Sequence, residues 1–170
     1  MSMEEKQNFQ TSQDSDFTEY PKNEKEVLNF IKKFYKSGIP IELIGSGSKR
    51  KIGKPLQCSK TLNLSKLNGI IEYLPEELYI KVQACTQITQ IQEELKKNNQ
   101  QLAFEPIDFG YINCSKSNKG TAAGHLSCNF SGSRRFKSGS VRDHILGFRG
   151  VNGKGDIIKS GGTVVKNVTG

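Results

Sequence analysis

The sequence predicts an α+β fold, and three observations carry that reading. An amphipathic helical pattern runs into a short apolar strand that ends in a glycine loop, residues 23–48. A hairpin pattern followed by a second amphipathic helix occupies 69–100. After residue 110 the texture changes: Gly, Ser and Asn dominate, interrupted by two strand patterns, "HILGFRGV" and "DIIKSGG". Helical and alternating periods thus follow one another along the chain. The expected layout is a small lobe of helices and parallel-leaning strands over about 17–70, then a larger lobe on a mixed sheet.

The elements follow in order. Residues 1–16 are polar, with almost nothing to bury, and are expected to form a disordered tail. Asn23 and Glu26 form a capping box, after which Val27, Leu28, Ile31, Phe34 and Tyr35 fall on one helical face and Gly38 ends the helix. Ile41 to Ile44 reads as a short buried strand. "TLNLSKL" (61–67) alternates Leu62 and Leu64 as a strand does. "GIIEYLPEELYIKVQA" (69–84) reads as a hairpin turning at Pro75–Glu77. In "TQITQIQEELKKNNQ" (86–100) a helix turns Ile88, Ile91 and Leu95 inward. "QLAFEP" follows as an extended piece, and the last two strands join at a turn over Asn152–Gly155.

Charge narrows the partners. Of 25 basic and 17 acidic side chains, residues 1–20 hold one Lys and five acids, so the body beyond residue 20 is strongly basic. Such a body suits an anionic partner: nucleic acid, a phosphorylated cofactor, an acidic substrate or an acidic protein. The four cysteines form no CxxC pair and stand at no zinc spacing to His125 or His144, so no metal site is expected and the thiols are read as reduced and mostly buried. Cys128 in particular reads as a small buried hydrophobe, and His125 as a packed or capping residue. No stretch approaches the roughly 18 apolar residues of a membrane span, and no signal-peptide core is present. A cytoplasmic location is expected.

The chemistry concentrates in "IELIGSGSKRKIGKPL", 41–56. Gly45, Ser46, Gly47 and Ser48 can turn successive backbone N–H groups toward an anion, with Lys49, Arg50 and Lys51 adding positive field. It is not a Walker loop: Gly53-Lys54 is followed by Pro55, and Ser48 stands where the first glycine belongs. It is not a Rossmann fingerprint either, because Arg50 occupies the third glycine position.

A second small-residue segment, "KGTAAGHLSCNFSGSRRFKSGSVRDHILG", completes the picture. Together with "GSGSK", Glu105-Pro106 and the terminal "GGTVVKNVTG", it resembles the FAD-binding domain of the vanillyl-alcohol-oxidase-like (PCMH-type) flavoprotein superfamily, and within it the glycolate oxidase flavoprotein subunits. The resemblance runs from about Tyr20 to Gly170. It implies two α/β lobes with non-covalent FAD between them, since the first loop lacks the histidine that some members use for attachment. By that resemblance Gly45, Ser46, Gly47, Ser48 and Lys49 bind the diphosphate. Gly120, Thr121 and Gly124 lie against the flavin and ribityl chain, and Ser138, Gly139 and Arg142 continue that wall. Pro106 belongs to the same site, and the strand ending at Ile158 reaches the adenine side through its backbone. Two departures stand out: Ala123 replaces the first glycine of the usual pair, and Ile107 replaces a second proline.

The resemblance further implies an oxidoreductase that takes glycolate, a 2-hydroxy acid, to glyoxylate. Its expected partners are a second flavoprotein subunit and an iron–sulfur subunit, through which it could associate with a membrane. D-lactate dehydrogenase and a cell-wall reductase are alternatives within the superfamily. A basic nucleic-acid-binding module is the alternative outside it, disfavoured because no recognition helix or aromatic platform is visible. In the family the chain continues past the equivalent of Gly170 into a substrate lobe. Residues 17–170 are therefore expected to form the FAD domain alone, without catalytic residues and without turnover of its own.

Overall fold

The computed structural model describes residues 18–54, 56–112 and 116–162. The acidic tail and the terminal "TVVKNVTG" lie outside them, as does Cys114. The elements are β1 (Thr18–Glu19), α1 (Glu24–Ser37), β2 (Ile41–Ile44), β3 (Lys60–Asn63), β4 (Ile70–Leu74), β5 (Tyr79–Val82), α2 (Ile88–Lys97), α3 (Phe109–Ile112), α4 (Ala122–Cys128), α5 (Arg135–Ser138), β6 (Gly147–Val151) and β7 (Ile157–Gly161).

The first lobe is a three-stranded parallel sheet, order β1-β3-β2, covered by α1. Helix α1 starts where the capping box places it: the Asn23 side chain accepts from the Glu26 N–H at 2.9 Å, and the Glu26 carboxylate accepts from the Lys22 N–H at 2.8 Å. It stops at Gly38, whose φ of 64° is the left-handed cap that a glycine adopts without strain. Val27, Ile31 and the fully buried Leu62 form the centre of this lobe, with Phe30, Ile41, Leu64 and Leu67 around them. The structure corrects two positions. Tyr35 is exposed, because it lies at the rim of the apolar stripe. In β2 the buried residue is Glu42, while Leu43 is exposed. Glu42 can be buried because Arg50 meets it with two charge-assisted hydrogen bonds, 2.9 and 2.8 Å.

The second lobe packs α2 on the antiparallel hairpin β4–β5. Ile88, Ile91 and Leu95 meet Tyr73, Ile80 and Val82, as the helical period requires. The turn over Pro75–Glu77 is a single 3₁₀ turn closed by Leu78 in the left-handed region. No mixed sheet forms among the described residues. The strands after residue 69 pair as two separate antiparallel hairpins, β4–β5 and β6–β7, each closed on itself by its own turn. The β6–β7 hairpin folds back onto the first lobe. Val151 joins the α1 core, and Arg149 makes a bidentate ion pair with Glu24, 2.6 and 2.7 Å. The final hairpin therefore completes the opening lobe, and residues 69–146 form the insertion between.

Leu62→Ala should cost about 2–5 kcal/mol, because it empties a site with no exposed surface. Glu24→Gln should leave the midpoint close to wild type, because the pair it breaks is solvent-exposed. Urea denaturation of the two variants separates these outcomes.

Candidate functional site

The site is built where two glycine segments, more than seventy residues apart in the chain, come together. The first follows β2. Gly45 lies so close to the other segment that a Cβ there would stand 3.2 Å from Cys85 Sγ and 3.3 Å from Thr121 Oγ1. Gly47 has φ 71°, a left-handed conformation that suits glycine, and the Arg50 N–H closes a turn on its carbonyl at 3.1 Å. The bidentate grip of Arg50 on Glu42 then pulls the far end of the loop back onto β2. Of the three consecutive cations, Arg50 is thus engaged by folding and Lys51 is exposed, while Lys49 turns inward.

The second segment, 118–124, is stitched along residues 84–88. Ile88 N–H donates to Gly120 O, Ala122 N–H to Thr86 O and Ala123 N–H to Ala84 O, at 2.9–3.0 Å. Thr86 anchors this seam. It is fully buried, accepting from the Gly69 N–H at 3.0 Å and lying within donating reach of the Gly69 and Gln83 carbonyls. Gly120 has φ 80°, and Thr121 caps α4 by accepting from the Gly124 N–H at 3.2 Å.

The two segments meet around the Lys49 ammonium. A Cβ on Gly120 would lie 2.8 Å from Ser48 Oγ, 3.3 Å from Lys49 Nζ and 3.8 Å from His125 Nε2. One on Gly124 would lie 3.5 Å from the same ammonium. Lys49 Nζ also stands 4.8 Å from the centre of the Phe109 ring, a cation–π contact. Among the described residues no carboxylate forms an ion pair with it. Burial depresses its pKa from the ordinary value. The cluster is a small, polar, positively charged cradle whose walls are narrow because glycines line it. Such a site fits an anionic group and resists a bulky apolar one.

His125 closes the floor. It is completely buried, and its Nε2 hydrogen-bonds the Lys119 carbonyl, so Nε2 carries the proton. Among the described residues its Nδ1 meets no hydrogen-bond partner in good geometry. Desolvation chiefly holds its pKa below 6.5, and the Lys49 charge adds to the effect. Beside the cradle a cleft of about 380 Å³ is lined by Ser46, Gln87, Thr89, Lys116, Ser117, Asn118 and Lys119.

The remaining predicted residues lie farther along. Ser138, Gly139 and Arg142 gather at the other end of α4. There the Arg142 N–H donates to Asn129 Oδ1 at 3.0 Å, and the Ser138 carbonyl bonds His144. The seven-residue α4, about 10 Å long at ~1.5 Å per residue, runs between Thr121 at its start and Asn129 at its end. Arg142, Arg135 and the exposed Phe136 flank a second cleft of about 370 Å³. Asp143 makes the local hydrogen bonds expected of it, accepting from the Ser140 N–H and hydroxyl at 2.7 Å. Pro106 is half-buried beside Glu105, whose carbonyl accepts from the Gly132 N–H at 2.9 Å. Ile158 lies exposed on β7, in the hairpin that docks on α1. Cys128 corrects its expectation: it sits in the last turn of the short α4 and is exposed, and of the described cysteines only Cys85 is buried. The sequence reading missed Asn118, Thr86 and Asp108. Asn118 two residues before a left-handed glycine was the available signal.

The chain belongs to the family described as FAD binding domain, whose match spans residues 16–161. Among individual relatives, it is 37% identical over 131 residues to glycolate oxidase subunit GlcE of Escherichia coli (strain K12), covering 77% of this chain and 35% of that protein. It is 28% identical to glycolate oxidase subunit GlcD of Bacillus subtilis (strain 168), covering 88% of this chain and 30% of that one. D-lactate dehydrogenase of Anaerostipes hadrus is 29% identical over 64% of this chain and 21% of its own. The chain thus spans about a third or less of these relatives' length. The fold is shared with alkyldihydroxyacetonephosphate synthase, with a TM-score of 0.65 at 18% identity, covering 89% of this chain and 27% of that one.

The buried neutral imidazole sets a pH dependence. Its lowered pKa means that the unfolded chain binds a proton more readily than the folded one. The resulting destabilisation is absent above the ordinary value of 6.5 and grows as the pH falls through it toward the folded value. Denaturant midpoints measured from about pH 7.5 to 5.5 should fall for the wild type, and His125→Met should lose part of that slope.

Proposed function

We propose that this chain holds FAD for an oxidoreductase that removes a hydride from a small 2-hydroxy acid, glycolate first. In this reading residues 17–170 are the FAD-binding domain and 1–16 an appended tail. The observation that carries it is the Lys49 ammonium: it is partly desolvated, forms no ion pair with a carboxylate among the described residues and is walled by Gly120 and Gly124. Such a charge is costly unless compensated, and a ligand anion would compensate it. The dinucleotide's diphosphate carries about two negative charges and matches ammonium and N–H donors.

The residues divide the work. Gly45, Ser46, Gly47 and Ser48 present backbone N–H groups and hydroxyls, and Lys49 supplies the charge. Gly120, Thr121 and Gly124 keep the wall low enough for a flat ring or a ribityl chain to lie against backbone, with the Ala123 methyl the one addition. Ser138, Gly139 and Arg142, about one short helix away, extend the same surface. Pro106 supports it from the Glu105–Gly132 contact, and Ile158 offers backbone to the adenine side. FAD is held without a covalent bond in this reading, because no histidine occurs in residues 45–54. When bound, FAD supplies the electron-accepting chemistry; the chain's part is to bind, orient and exclude water. We assign no catalytic residue in it.

The relatives named as glycolate oxidase subunits support a multi-subunit assembly; in this reading its other members are a second flavoprotein and an iron–sulfur subunit, and it works in the cytoplasm or at a membrane through those partners. No helix among the described residues is long and apolar enough to cross a membrane. The relative named D-lactate dehydrogenase supports D-lactate as the second substrate to try.

With FAD supplied, the purified chain should show bound-flavin absorbance near ~370 and ~450 nm, a property of the cofactor, and, having no assigned catalytic residue, should reduce no artificial acceptor with glycolate or D-lactate above the free-FAD background. Turnover above that background would place a catalytic group among these residues. Lys49→Gln should weaken FAD binding by about ten- to a hundredfold, the worth of hydrogen bonds to charged groups, and flatten its salt dependence. Gly47→Val should abolish retention. Wild-type affinity in Gly47→Val would remove the diphosphate from this loop.

A further inference from the structure

We infer that Asn118 is the positioning residue that holds the two glycine segments in the register the diphosphate needs, and so sets the affinity for the dinucleotide. The inference rests on the reading above but concerns a side chain to which that reading gives no role. The Asn118 amide is the side-chain bridge between the segments. Its Nδ2 donates to the Ser46 carbonyl at 3.2 Å, in the middle of the first loop. Its Oδ1 accepts from the Gly120 N–H at 3.0 Å, at the entry of the second. The two bonds fix the amide orientation: rotated by half a turn, it would set oxygen against the Ser46 carbonyl and NH₂ against the Gly120 N–H.

The bridge has a firm base. The Asn118 N–H donates to Asp108 Oδ1 at 2.9 Å, and the Asn118 carbonyl accepts from the Gly110 N–H at 3.3 Å. Asp108 also accepts from the Tyr111 N–H at 3.1 Å and from the Ser117 hydroxyl. Asp108 thus ties Tyr111 to Ser117 and Asn118 and fixes the Asn118 backbone. The consequence for a ligand is geometric. With the Ser46 carbonyl tied to Asn118, the planar trans peptide directs the Gly47 N–H away from Asn118, and in this reading that N–H is one of the donors to the diphosphate. With the Gly120 N–H also tied, Gly120 keeps its left-handed φ, and Ser48 Oγ and Lys49 Nζ can approach it as closely as they do.

The test uses the protein, FAD as probe, and two variants. Asn118→Ala removes both bonds. Asn118→Asp keeps the shape and the acceptor for Gly120 but loses the donor to Ser46, and folds if the alanine variant does not. FAD affinity is read by quenching of flavin fluorescence. Amide exchange over 45–49 and over α1, and the melting temperature without FAD, are read on the same samples. We expect Kd to rise about tenfold or more in both variants, the cost of one or two lost hydrogen bonds. Exchange should quicken over 45–49 while α1 and the melting temperature stay near wild type. Kd within twofold of wild type in Asn118→Asp overturns the inference and leaves the site reading standing. A general rise in exchange that includes α1 also overturns it, by making the role one of overall stability. Failure of the wild type to bind FAD removes the site reading, and the inference with it.

Discussion

The charge on Lys49 is the constraint around which the middle of this molecule is arranged. An ammonium taken partly out of water costs free energy unless something compensates, and here the compensation within the chain is weak. One aromatic face, that of Phe109, stands 4.8 Å away. No carboxylate among the described residues pairs with it. The neighbours that can tolerate such a group are small or polar: Gly120, Gly124, Ser48 and Thr121. A leucine in their place would desolvate the ammonium further and offer it nothing. Burial and the Lys49 charge both favour the neutral form of the nearby imidazole, and His125 holds it with Nε2 bonded to the Lys119 carbonyl.

The adjacent cation has the opposite fate, and the contrast shows how one basic run divides its tasks. Arg50 finds Glu42 on the preceding strand, and its planar fork matches the carboxylate in two bonds. That pair pins the end of the loop to β2, and the loop between them must then turn sharply through Gly47. Lys49 is carried inward as the residue just before the pin. Folding has consumed one charge to aim another. A lysine at position 50 would give a point charge without the fork, and the loop would be held less firmly.

Much of this was legible from residues alone, and the boundary between the legible and the hidden is physical. The α1 cap, the inward faces of α1 and α2, and both hairpins are local patterns, encoded by period and by turn residues within a few positions. "GSGSK" alone is a weak signal, and it was its resemblance, together with the later glycine segment, to an FAD-binding domain that pointed to a cradle. Glu42 was hidden because a buried carboxylate looks like an exposed one until its partner, eight residues on, is placed. Leu43 looked buried because it sits in an apolar run, yet on this edge strand nothing covers it. Cys128 looked buried by type, but α4 is only seven residues long and its last turn faces out. Asn118 and Thr86 were invisible because what they do is join segments distant in sequence. The expected mixed sheet failed for a similar reason: alternation marks a strand but not its partner.

Chain order explains why the site sits where it does. The β6–β7 hairpin returns to α1 and completes the first lobe, so that lobe is made from both ends of the described chain. The second lobe is therefore an insertion tethered at two points. A tethered lobe can close against its neighbour with a smaller entropy cost than a free one, because its loop ends are already held. The seam that results is lined by backbone rather than by large side chains: Gly45 lies against Thr121, and Ile88 bonds the carbonyl of Gly120. Large apolar residues would have sealed such a junction and stabilised the empty protein. Glycines, serines and a partly desolvated ammonium leave it short of such apolar contacts, and in the proposed reading a phosphorylated ligand would supply the compensation.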